Sequence, residues 1–341
     1  MLAQVAAGET ELYVAGRDGY HSFRIPSLVA TRKGTLLAFC EGRKNSRSDT
    51  GDIDLVVRRS TDGGRTWGPM AVVVDEGTST MGNPCPVVDR KTGTIWLPIT
   101  RNLGEDTQAQ IVDRTAKGTR EVWILKSDDD GVTWSKPVEI TGSVKRADWT
   151  WYATGPGCGI QLRSGRLLIP CDHYVAGTKM RRSHAIYSDD HGTSWKIGGV
   201  VGDHTNECQA VELRDGTVLI NMRSYHGKHR RAVATSRDGG LTWSEIRWDE
   251  ALVEPVCQAA LIATPKGRLV FSNPASEKRE RMTVRVSRDA GKTWETLRVL
   301  HEGPAAYSAL VALRDGGVGC LYERGEKSSY ETMTFTRLRL P

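Results

Sequence analysis

Short apolar runs, most of four to six residues, recur along the whole chain, and polar, glycine-containing stretches separate them. Two kinds of punctuation repeat. The first is a tight glycine turn between two apolar runs: RKGT at Gly34, KTGT at Gly93, RSGR at Gly165, RDGT at Gly216, PKGR at Gly267 and RDGG at Gly316, 49 to 72 residues apart. The second follows the pattern S-x-D-x-G-x-[T/S]-W, at residues 60–67 (STDGGRTW), 127–134 (SDDDGVTW), 188–195 (SDDHGTSW), 236–243 (SRDGGLTW) and 287–294 (SRDAGKTW). Each box reads as a hairpin turn. Its Asp accepts from turn N–H groups, its Gly supplies a positive φ, and its Trp folds back between neighbouring sheets.

The order within a unit is strand, glycine turn, strand, longer loop, strand, box, strand. In the first unit these strands are predicted at 25–30, 35–40, 54–59 and 71–74. Periods near 50 residues suit four-stranded propeller blades. The sixth unit has strands at 308–313, 318–322 and 331–338, and no box follows. The segment ELYVA at 11–15 precedes the first unit and is expected to supply the missing outer strand, leaving no sheet edge open. The prediction is all-β: a six-bladed β-propeller of four-stranded antiparallel blades, closed by the N-terminal strand in the last blade. It forms a single domain over 1–341, without linker or appended module. Helix signals are nearly absent.

Composition narrows the class. Hydrophobic residues at 38 %, with 36 glycines besides, and charged residues at 26 % exclude global disorder. No apolar run approaches 18 residues, so no membrane span is expected. The first seven residues carry neither a basic region nor a long apolar stretch, so no export signal is visible. The net charge of +6 is scattered. It fits an acidic small ligand or an anionic glycan surface, whereas nucleic acid finds no basic helix or aromatic-basic motif. The seven cysteines include no CxxC pair, and Cys40, Cys171, Cys208, Cys257 and Cys320 lie in or beside apolar runs, as buried reduced thiols do. The closest approach to a metal pair, His226 and His229, lacks a third ligand. No phosphate loop or dinucleotide fingerprint occurs, so no cofactor and no metal is expected.

In an antiparallel blade the start of the first strand and the end of the second lie at one end, and the boxes lie at the other. Function is therefore sought at first-strand starts and in second-to-third loops. Those positions hold Arg24, Glu207 and Tyr307 at strand starts, and Arg43, Asp49, Arg223, Arg279 and Glu323 at strand ends or in loops. Singly, each has a plain structural reading: a solvated arginine, a core tyrosine, a turn-forming aspartate, a structural ion pair for either glutamate. Together they carry chemistry. Three guanidiniums at one point clamp a carboxylate. A tyrosine beside a carboxylate can lose its proton and become a nucleophile. A separate aspartate can serve a leaving group as acid and base.

The FRIPS segment around Arg24, the boxes, TGPGCGIQL from Thr154, NECQ, NMRS and the final YS…LYE pattern resemble the exo-sialidases of bacterial and animal type, from about Leu12 to about Leu338. The resemblance implies that Arg24, Arg223 and Arg279 form the arginine triad, with Arg281 and Arg285 as neighbours of the third. Tyr307 becomes the nucleophile, Glu207 its base and Asp49 the acid/base residue, with Asp52 and Asp54 as rivals. Arg43 is an additional substrate arginine, and Glu323 holds Arg24. The implied reaction is retaining hydrolysis of terminal sialic acids from glycoproteins, glycolipids and oligosaccharides. Export is favoured on substrate grounds alone, and the oligomeric state stays open. Cys158 stands where relatives often have His and is expected near the mouth. Trp149 and Trp151 offer either a sugar-facing wall or packing between blades. The absence of a lectin module argues against a trans-sialidase architecture. Three alternatives stay open: a related ulosonic-acid (KDN-type) glycosidase, a transferase or dehydrating enzyme of the same fold, and a non-catalytic glycan-binding propeller.

Overall fold

The computed structural model describes residues 8–341. The first seven, and with them the reading of no export signal, lie outside the described residues. The strand Leu36–Arg43 illustrates how the sheets arise. Leu36, Ala38 and Cys40 face one apolar cluster, and Leu37 and Phe39 face another. Successive side chains of a strand point to opposite faces, so a run that is apolar at every position must be covered on both.

The first unit comprises Ser22–Ala30, Leu36–Arg43, Ile53–Ser60 and Ala71–Val74, each antiparallel to the next. The second comprises the interrupted strand Thr80–Gly82 and Val87–Val88, then Ile95–Asn102, Glu121–Ser127 and Val138–Glu139. The third has the interrupted strand Trp149–Thr154 and Ile160–Gln161, then Leu167–Val175, Met180–Ser188 and Lys196–Asp203. The fourth is Thr205–Glu212, Val218–Ser224, Arg230–Ser236 and Arg247–Val253. The fifth holds Ala260–Ala263, Leu269–Pro274 and Glu280–Ser287. Its outer strand is the beginning of the long strand Glu295–Ala312, whose end pairs with Val318–Arg324 in the sixth. Thr332–Leu338 follows, and Glu9–Val14 pairs with it antiparallel as the expected outermost strand.

Apolar clusters lie between neighbouring units. Leu97 and Ile99 of the second unit meet Leu37 and Phe39 of the first, and Phe335 of the sixth meets Leu36 of the first. Each fully buried Leu, Ile or Phe contributes about 1.5–3 kcal/mol. The box tryptophans join this packing, Trp67 edge-on to Phe335 at 5.0 Å and Trp134 edge-on to Phe39 at 5.6 Å. All seven cysteines are free thiols and six are buried.

Helix is nearly absent among the described residues, confined to two short pieces. A short helix, Gln108–Asp113, occupies the second-to-third loop of the second unit, opened by a capping box between Thr107 and Gln110. The longest of the glycine-turn spacings accommodates it. A single helical turn, Thr141–Val144, lies further on. No described helix is long and apolar enough to cross a membrane.

Candidate active site

A cavity of about 860 Å³ opens at the end where first strands start and second strands finish. Three of the inner strands are irregular at the residues they present. Register breaks fall between Arg24 and Ser27, between Thr205 and Cys208, and between Ala305 and Ser308. Such bulges turn a strand locally and re-aim a side chain. They carry Arg24, Glu207 and Tyr307, which all border the cavity, as do Arg43, Asp49, Arg223 and Arg279. Glu323 lies beneath it, with its side chain 1 % exposed. One Glu323 oxygen accepts from Arg24 Nε and from the Ile25 N–H, both at 2.9 Å, and the other accepts from the Tyr307 N–H at 3.0 Å.

The Tyr307 hydroxyl donates to Glu207 Oε1 at 2.5 Å, while Glu207 Oε2 accepts from Arg223 Nη1 at 2.8 Å. Burial and the adjacent Glu207 push the Tyr307 phenol well above its ordinary range, so it rests protonated. Arg24 is buried, which opposes its charge, but Glu323 with Tyr330 and Tyr307 together prevail and hold it above its ordinary value. Arg24 Nη2 and Arg223 Nε are buried donors without partners. Buried donors are normally paired, so both are exceptions at this site. Arg279 donates to the Tyr330 hydroxyl at 2.7 Å, and the Arg24 guanidinium lies 4.1 Å from the centre of the Tyr330 ring.

Asp49 accepts an ion pair from Arg43 Nη1 at 2.9 Å and lies 4.0 Å from Arg24. Burial would raise its carboxyl, but Arg43 and then Arg24 prevail and hold it below the usual carboxylate range. Its side chain is 61 % exposed, so water screens part of that pull. The rivals lie elsewhere: Asp52 pairs with Lys44, and Asp54 is buried against the Tyr20 hydroxyl. Arg281 pairs with Glu302, and Arg285 donates to Asn273.

Several residues at this mouth escaped the sequence. Glu41 holds Arg43 through Oε2 and accepts the Asn83 N–H through Oε1. Arg120 donates to Asn83, Asn102 and the Tyr152 carbonyl, and burial lowers it to about 10. Asp172, Tyr174, Arg181, Asn206, Tyr225 and Tyr330 also border the cavity. Glu41 stands two residues before Arg43, and the Thr107…Gln110 spacing signals the rim helix. The others carry no local signal. Of the tryptophans, Trp151 borders the cavity, 3.9 Å beneath Arg120, while Trp149 stacks on His173 at 3.6 Å. Cys158 is a correction. It borders a second cavity, among the glycine turns, because the interrupted strand of the third unit carries it away from the mouth. Among the described residues no three His, Cys, Asp or Glu side chains are grouped as metal ligands.

The family model described as BNR repeat-like domain matches residues 34–320. A sialidase of Bacteroides fragilis is 36 % identical over 96 % of this chain and 63 % of its own length. An exo-alpha-sialidase of Aspergillus fumigatus is 33 % identical over 94 % of this chain and 85 % of its own. Among solved structures, the Hadza microbial sialidase Hz136 superposes with a TM-score of 0.89 at 36 % identity, over 97 % of this chain and 68 % of that one. This chain thus spans a little under two thirds of the Bacteroides protein. With the repeat model covering most of its length and relatives above 30 % identity across nearly all of it, the chain belongs to the sialidase family.

Proposed function

We propose that this domain is an exo-sialidase that removes terminal sialic acids from glycoconjugates by retaining hydrolysis, within one domain folded as a closed six-bladed propeller. The observation that carries the activity is the Tyr307–Glu207 hydrogen bond of 2.5 Å among arginines that border the same cavity. Closure is supported where the last unit meets the first: Phe335 against Leu36, Arg24 on Glu323, and Arg314 donating to the Arg32 carbonyl at 2.7 Å.

Arg24, Arg223 and Arg279 take the sugar's carboxylate, with Arg43 beside them. Tyr307 passes its proton to Glu207 Oε1 as its oxygen bonds to the anomeric carbon. The glycosidic bond breaks, and Asp49 donates a proton to the departing oxygen. Water then attacks the anomeric carbon and gives a proton to Asp49. The tyrosyl bond breaks, and Tyr307 recovers its proton from Glu207. A neutral phenol approaches a carboxylate-bearing carbon with less repulsion than a carboxylate nucleophile would. Asp49 must gain a proton before it can donate one. Substrate binding favours this, because the ligand's carboxylate offsets Arg24 and the bound sugar displaces water from Asp49.

The test is hydrolysis of a sialyl-oligosaccharide followed by NMR. The sugar should appear first as the anomer of the bond cleaved. Tyr307→Phe should lower kcat by several orders of magnitude while a carboxylated sugar analogue still binds. First release of the opposite anomer, or full activity of the variant, overturns the tyrosine's role.

A further inference from the structure

The second cavity, at the end where the glycine turns lie, measures about 880 Å³ and has no part in the mechanism above. The strands that carry Arg24, Glu207 and Tyr307 to the mouth finish on its wall. Residues 28–30, 261–263 and 310–312, apolar at every position, border it together with Val211 and Leu213. Its uncharged polar side chains are already engaged. Gln161 donates to Asp89 and accepts the Arg90 N–H, the Thr264 hydroxyl accepts the Arg268 N–H, and the Cys158 thiol donates to Gln209. A polyhydroxylated ligand therefore finds few hydrogen-bonding groups here. The charges are one-sided. Arg90, Arg163, Arg214, Lys266, Arg268 and Arg288 border the cavity, against two carboxylates, Glu212 and Asp289. Both carboxylates are occupied: Glu212 accepts the Arg163 N–H, and Asp289 is closed within its own box by Ser287 and Thr293. Three of the arginines are fixed by neutral carbonyls. Arg90 donates to Gln161 and Leu162, Arg163 to Leu213 and Arg214, and Arg214 to Lys266. A carbonyl holds a guanidinium in place without cancelling its charge. Arg163 and Arg288 reach a carboxylate only at 3.8 and 3.7 Å, and Arg90, Arg214 and Lys266 form no ion pair among the described residues.

We propose that this second cavity is a binding site for a free alkyl carboxylate, its chain along the apolar wall and its head group beside Arg214 and Lys266. Apolar surface rimmed by uncompensated positive charge complements an amphipathic anion. Neither half of the lining suffices alone. The wall lacks the donors and acceptors that a sugar needs, and the cations are held in place around apolar side chains rather than around a polar floor. The site is independent of the sialidase reading, since the same strands present the reacting residues at one end and this wall at the other.

The test is titration calorimetry of the whole chain with octanoate, decanoate and dodecanoate below their micellar range. Each pair of added methylenes should tighten binding by about tenfold until the wall is covered. Lys266→Glu, at an exposed side chain, should weaken decanoate binding by about fivefold. Ala312→Glu, which sets a carboxylate in the apolar wall, should weaken it by more than about tenfold. Arg279→Ala, at the opposite mouth, should leave it unchanged. No binding of any of the three, no gain with chain length, or decanol binding as tightly as decanoate overturns the proposal. So does loss in Arg279→Ala with none in Lys266→Glu, which would put the anion on the mouth arginines. Sedimentation with anionic phospholipid vesicles in the absence of decanoate binding would assign this face to a membrane surface and overturns it too. If Ala312→Glu shows no thermal transition, the chain-length series, the alcohol comparison and Lys266→Glu decide.

Discussion

Ile25 has a φ of 63°, a left-handed backbone that β-branched residues almost never adopt and that costs about 1–3 kcal/mol. Its amide is held by Glu323, and Pro26 follows. The strain is the means by which the FRIPS segment turns Arg24 inward. Glu323 thus fixes two backbone amides and a guanidinium at once. Replacing it with Leu should cost about 3–5 kcal/mol in unfolding free energy by denaturant titration, because a buried arginine is left unpaired. Asp49 is the opposite kind of residue, exposed and held chiefly by Arg43. If it serves the leaving group, Asp49→Ala should lower turnover of a sugar-leaving substrate by at least 100-fold and spare a nitrophenyl sialoside, whose departing oxygen needs no proton. Equal losses on both substrates would remove Asp49 from that role. These residues differ in how legible they were. Arg24, Arg43 and Tyr307 stood out by type and position. Tyr330 and Asp172 look like ordinary loop and strand residues until folding brings them to the cavity.

At the scale of elements, the box turns build themselves from local sequence. Asp129 accepts from the Val132 and Thr133 N–H groups and from two hydroxyls, and Gly131 combines a φ of 76° with close packing on Leu37. The bonds to Thr133 depress the Asp129 carboxyl to about 2. Asp129→Ala should lose about 1 kcal/mol, as a lost cap does, and lower the melting temperature by roughly 1–2 °C. Activity should be unchanged, since the box does not border the cavity. The glycine turns carry a second device. Arg32, Arg90, Arg163, Arg214 and Arg314 each donate to a backbone carbonyl of a neighbouring unit. The boxes and turns were legible because each repeats in one short window. The bulges at Arg24, Glu207 and Tyr307 were not, because a bulge is a mismatch between two strands and neither strand records it alone.

For the whole molecule, the third unit contains a pH-sensitive point. His173 and His184 are fully buried, with their Nδ1 atoms 3.0 Å apart. Burial holds His173 at about 3, helped by Arg182, Arg146 and Lys145, and holds His184 well below its ordinary value, helped by His173 and Arg146. Both rings are neutral when folded, and each gains a proton on unfolding below about pH 6.5. Stability from this pair is therefore complete above that pH and falls as the pH drops towards 3. By pH 5.5 the loss should be about 1 kcal/mol for each ring. Melting temperatures between pH 7.5 and 5.5 should fall in the wild type and fall less in His173→Gln. An equal fall in both proteins would place the acid sensitivity elsewhere.

Repetition and local chemistry determined the strands, the box turns, the position of the outermost N-terminal strand and the end of the molecule at which to look. Each of these depends on residues close together in the chain or on a pattern repeated along it. Tertiary structure alone decided which carboxyl meets which guanidinium, why Cys158 belongs to the other cavity, and that Asp172 is left with a buried oxygen without a partner. Those outcomes depend on contacts between strands up to 299 residues apart, as Arg24 and Glu323 are. The desolvation that tunes Tyr307 and Asp172 exists only once the neighbouring sheets have closed around them.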